Sequence, residues 1–76
     1  MSAMAAETEM WEALFDHWRG LIAELSEERA SYENGASAGK RLYKGEWEDI
    51  TQFRKEQIGR EITSLENALK AHGQSP

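Results

Sequence analysis

The chain contains no cysteine and a single proline in 76 residues. No apolar run approaches the roughly 20 residues that a membrane-spanning helix needs. Without cysteine there is no disulfide and no thiolate metal site. A core of this size rarely supplies more than about 3–5 kcal/mol of net stability unaided. With those staples gone, oligomerisation or docking is left to do their work, and a cysteine-free chain fits a cytoplasmic life. Residues 1–6 are small and apolar, but no basic stretch precedes them and Glu7 follows at once, so a secretory signal is not expected. Clustered positive charge is also missing. The formal net charge is -5, which argues against direct nucleic-acid binding, since phosphate neutralisation needs a continuous basic surface.

The charge that is present is unevenly placed. Residues 1–34 carry Glu7, Glu9, Glu12, Asp16, Glu24, Glu27, Glu28 and Glu33 against only Arg19 and Arg29. Residues 35–47 reverse the sign, with Lys40, Arg41 and Lys44 against Glu46. The last stretch, 48–76, is close to balanced. One domain at most fits in this length, with residues 1–7 and 73–76 expected to be flexible ends.

Two helix-patterned arms flank the basic stretch. In the first arm Trp11, Leu14, Trp18, Leu21, Leu25 and Tyr32 recur at steps of three and four, with Glu28 as the one polar interruption. Phe15 and Ile22 widen the stripe beyond a coiled-coil seam. Thr8 is the expected N-cap, and Asn34-Gly35 the stop. The second arm opens on Asp49 and Gln52, a variant of the capping box. Ile58, Ile62, Leu65 and Leu69 then fall within about 60° of one another on a helical wheel, with Ile50 and Phe53 to one side. His72-Gly73 closes it. The fold expected is mostly α: two long antiparallel helices, at about 8–33 and 49–72, joined over about 40–47 by a short loop or a tiny β-hairpin turning at Lys44-Gly45. A ribbon that short is marginal in water unless it is packed on something.

No constellation here carries catalysis. His17 and His72 lie near ends that an antiparallel hairpin brings together, but each has a simple reading as a solvated or terminal helix residue. The serines have no base or oxyanion framework beside them. Glu12/Asp16 and Glu24/Glu28 are acid pairs at helical spacing, yet a bundle metal site also needs Glu-x-x-His, which is missing, so a solvated face is expected. Gly39-Lys40-Arg41 lacks the spacing and the Ser or Thr of a phosphate loop. Neither an enzyme, a metal nor a cofactor is expected. Gly20 and Gly59 interrupt the two helices, and Gly20 points away from the apolar stripe, where either a neighbouring subunit or plain solvent fits.

Two amphipathic helices cannot hide all of the apolar width of the first arm, which leaves surface for another protein. The expected interface residues are Lys40, Arg41, Leu42, Tyr43, Lys44, Trp47 and Phe53. Basic residues with flanking aromatics suit an anchor, and the basic tip is opposite in sign to the acidic first arm. A tip-to-arm contact between copies would be heterologous, giving a ring or filament.

The stretch Gly39-Lys40-Arg41-Leu42-Tyr43, followed by Trp47-Glu48-Asp49-Ile50 and Ile62-Thr63-Ser64-Leu65-Glu66, resembles the gpW-like head-to-tail joining proteins of tailed phages. The resemblance covers about half the chain. It implies a virion connector subunit, present as a ring of copies beneath the portal, made in the host cytoplasm and then carried in the particle. Two other readings start from the residues alone: an acidic inhibitor or DNA mimic of the anti-defence kind, and a cytoplasmic homodimeric helical-hairpin adaptor.

Overall fold

A computed structural model describes residues 3–76, with side chains from residue 7 onward. Its elements are α1 (Ala3–Glu33), β1 (Lys40–Tyr43), β2 (Glu46–Asp49) and α2 (Thr51–Ala71). The two helices run antiparallel, and the strands pair with one another alone. The fold is therefore mostly helical, and between the open alternatives of loop and hairpin the linker is a hairpin.

α1 starts at Ala3, not at Thr8. Ala3, Met4, Ala5, Ala6 and Glu7 are strong helix formers with no breaker among them, so the helix propagates past the expected cap. The part of the flexible-end expectation that concerns residues 1 and 2 lies outside the described residues. The stop is where the sequence places it. Gly35 adopts φ 78, the left-handed conformation that only glycine takes without steric cost. Asn34 then turns the chain, its side-chain oxygen accepting from the Ala36 N–H at 2.9 Å.

The hairpin turns on two residues with positive φ, Lys44 at 50 and Gly45 at 80. A two-residue turn of this hand matches the twist of the flanking strands. The register pairs Lys40 with Asp49, Arg41 with Glu48, Leu42 with Trp47 and Tyr43 with Glu46. The base of the ribbon is fastened to the start of α2. The Ile50 N–H donates to the Gly39 carbonyl at 2.8 Å, and the Gly39 N–H donates to Thr51 Oγ1 at 3.0 Å.

The expected capping box is not formed. Asp49 still belongs to the ladder, opposite Lys40, so α2 begins after it. The Asp49 carboxylate instead accepts from the Thr51 N–H at 2.9 Å and from the Thr51 hydroxyl at 2.6 Å, a side-chain turn at the strand–helix corner. Those bonds hold the Asp49 pKa below its ordinary value. Gln52 points to Glu56 rather than back to the cap. At the other end, Gly73 donates to the Lys70 carbonyl and Gln74 to that of Leu69, both at 2.9 Å, with Gly73 at φ 71. This is a Schellman closure. Residues 74 and 75, expected to fray, are tied to α1: Arg19 donates to the Ser75 carbonyl at 3.1 Å and to Gln74 Oε1 at 3.2 Å.

The core is thin. Ile58, Ile62 and Leu69 of α2 are buried, as their spacing predicts, and Leu65 is half-buried. On α1 the buried centre is Phe15 rather than the stripe beside it; Leu14, Trp18, Leu21, Ile22 and Leu25 are half-buried and Trp11 is exposed. The Phe15 ring stands 5.8 Å from Trp11 and 5.9 Å from Trp18. His72, at the end of α2, packs against all three rings at 4.7, 5.5 and 5.9 Å. His17 is exposed and takes no part in this cluster.

Candidate functional site

The molecule exposes more surface than its mass requires. A compact monomer of 8.7 kDa exposes about 4,700 Å²; this chain exposes 5742 Å². Its radius of gyration is 17.2 Å, against about 11 Å for a compact chain of this length. The long axis is 59 Å, of which the 31 residues of α1 account for about 46 Å. The hairpin strands contact one another far more than they contact either helix.

Six of the seven expected interface residues sit on that hairpin. Opposed residues of an antiparallel pair share a face, so Leu42 and Trp47 form one apolar pair on one side of the ribbon. They are 57% and 70% exposed, which means that no part of the chain covers them. The other side carries Arg41, Tyr43, Glu46 and Glu48. The Arg41 guanidinium pairs with Glu48 at 2.8 Å and lies 5.5 Å from the Tyr43 ring centre. The Lys44 ammonium approaches the same ring at 5.3 Å. Glu46, Glu48 and Asp49 thus offset much of the positive charge that the sequence places at the tip. Lys44, in the turn, is the base that faces no acid across the ladder. Residues 40–49 carry three bases and three acids, so the formal charges of the hairpin cancel, and what stands out on it is the exposed Leu42–Trp47 pair.

Phe53, the seventh residue, belongs to the first turns of α2. It is exposed and lines an open groove of about 710 Å³ between the helices. Leu21, Leu25 and Leu65 supply the apolar floor; Glu24, Glu28, Arg60 and Glu61 stand at the rim. The sequence places Leu21, Leu25 and Leu65 on the core stripes, and the two helices cover them only in part.

The rim holds one contact that sequence reasoning missed. Arg54 of α2 grips Glu28 of α1 with two bonds, 2.7 and 3.1 Å, and the Tyr32 hydroxyl donates to the same carboxylate at 3.2 Å. The signal was the polar interruption at Glu28, since a carboxylate within an apolar stripe calls for a cation opposite. The Arg54 bond holds the Glu28 pKa below its ordinary value, and Glu28 in turn raises that of Arg54. A group with a depressed folded pKa adds stability above its unfolded pKa and loses it as pH falls through the folded one. Arg54→Met should therefore cost about 1 kcal/mol near neutral pH, the upper end for a pair this exposed. The difference should shrink as pH drops through and below the ordinary glutamate range. Urea titrations of both proteins at about pH 7 and about pH 3 check this.

Among the described residues, no group of three or more His, Asp or Glu side chains is placed to hold a metal ion, and no helix is long and apolar enough to cross a membrane. An added Cβ at Gly20 would meet nothing within 4 Å, so close packing inside this chain does not account for that glycine. Comparison with known proteins gives no match to any family model, curated protein or solved structure.

Proposed function

We propose that this chain is a small structural subunit that docks in several copies on a larger assembly, as a connector between the head and the tail of a phage particle. The observation that carries the reading is the hairpin, with Leu42 and Trp47 uncovered on it. A β-ribbon is a costly way to hold two apolar side chains in water, and a partner surface offsets that cost. The surplus of about 1,000 Å² over a compact monomer is of the size that one partner buries in a standard interface. The residues that carry the resemblance to the joining proteins support the same reading: Gly39 to Tyr43 form the base and first strand of the hairpin, and Trp47 to Asp49 its return. Such a protein is made in the host cytoplasm and ends in the virion.

The test is genetic and structural together. Removing the chain by an early stop codon from the phage genome that encodes it should leave heads and tails that do not join, and the purified wild-type chain should restore joining in extracts. Particles that assemble normally without it sink the proposal.

A second reading keeps one observation in its favour. Glu9, Glu12, Asp16 and Glu27 are all exposed on α1, as an acidic inhibitor of a basic protein groove requires. Neutralising these four would abolish such inhibition and leave head–tail joining intact.

A further inference from the structure

Two apolar features of this chain lack a partner, and their shapes are opposite. The hairpin is convex and presents Leu42 and Trp47. The groove is concave, about 710 Å³, with Leu21, Leu25, Phe53 and Leu65 inside it. They do not meet within one molecule: no hairpin residue lines the groove, and Trp47 stays exposed. The hairpin's formal charges cancel overall, but the base at its turn is opposite in sign to the groove rim. Lys44 at the turn faces no acid across the ladder. At the groove rim Glu28 is matched by Arg54, and Glu24 and Glu61 outnumber the one remaining base, Arg60. Among the described residues the ion pairs are Arg19–Asp16, Arg41–Glu48 and Arg54–Glu28, which leaves both of those acids outside them.

We infer that the hairpin of one copy seats in the helix-pair groove of a second copy, with Leu42 and Trp47 against Leu21, Leu25, Phe53 and Leu65, and Lys44 beside Glu24 and Glu61. The inference rests on the docking reading above and names the partner. Donor and acceptor surfaces differ, so the contact is heterologous. Every copy added keeps one free hairpin and one free groove, and growth continues until a ring closes or a filament extends.

Complementation between two variants tests the geometry. Leu42→Ser with Trp47→Ser removes the donor and leaves the groove. Phe53→Lys with Glu61→Lys removes the acceptor and leaves the hairpin; both positions are exposed, so the fold is retained, which circular dichroism verifies. In sedimentation equilibrium the wild-type chain should gain mass with concentration past the dimer. Each variant alone should stay monomeric, and an equal mixture should stop at the dimer, because only one productive interface exists. A wild-type chain that halts at a dimer overturns the inference in favour of a two-fold helix-face contact. A mixture that stays monomeric, or a wild-type chain that is monomeric at about 1 mM, also overturns it. In those cases the head–tail joining assay still decides the broader docking reading, so the two fail separately.

Discussion

Leu69→Ala should leave the isolated chain largely unfolded at physiological temperature. Leu69 and Ile58 are each 0% exposed, and among the described residues only Phe15 and Ile62 join them in the core. Truncating a buried leucine costs about 2–5 kcal/mol through lost transfer energy and the cavity left behind. A single small core rarely supplies more than about 3–5 kcal/mol in total. The two ranges overlap, so one methyl-rich side chain holds most of the net stability. Alanine keeps the backbone carbonyl that accepts from the His72 and Gln74 N–H, so the loss is that of the side chain alone. Circular dichroism melting should show a fall in Tm of at least about 10 °C, or no cooperative transition at all. Ser64→Ala, at an exposed position one turn away, is the control and should melt with the wild type. Equal melting of Leu69→Ala and wild type would mean that the helix pair is not held by this core.

The sequence makes α2 easy to read and α1 harder, for a physical reason. On α2 the apolar residues are few and regularly spaced, so Ile58, Ile62 and Leu69 are the only answer to which face is inside. On α1 apolar residues occupy 11, 14, 15, 18, 21, 22 and 25, a stripe wider than one helix can cover. Which part of it meets α2 is settled by the partner helix, and Phe15 becomes the centre because His72 arrives against its ring. The hairpin was one of two options because strands of four residues have almost no periodicity to detect; its turn, Lys44-Gly45, was the legible part. The charge of the tip was misleading for the same reason. Arg41 and Glu48 are distant in sequence and adjacent only once the register is fixed. The exposure of Leu42 and Trp47 was legible, since a leucine and a tryptophan close to turn glycines have little to pack against. The ends were less so: helix-forming residues 3–7 extend α1, and Arg19 captures a tail that its sequence alone leaves unattached.

Leu42→Ser combined with Trp47→Ser should separate stability from function. The hairpin is fastened to the body through backbone groups of Gly39 and Ile50 and through the Thr51 side chain, none of which the substitutions touch. What the fold loses is one exposed cross-strand pair, about 0.2–1 kcal/mol, and Tm should fall by less than about 8 °C. Docking should lose far more. A tryptophan seated in a desolvated pocket is the commonest kind of interface hot spot, and its truncation costs about 2–4 kcal/mol, or roughly 30-fold to 1,000-fold in affinity. Head–tail joining in extracts should therefore drop by at least about tenfold at wild-type protein levels, with the helical content unchanged. Tyr43→Phe is the contrasting substitution. Tyr43 lies on the opposite side of the ribbon, where its ring meets Arg41 and Lys44, and joining should be retained. Wild-type joining by the double serine variant would remove the hairpin from the docking surface. The uncovered area would then have to be matched elsewhere, and among the described residues Met10 and Trp11 on α1 and Phe53 on α2 are the other large apolar side chains left in water.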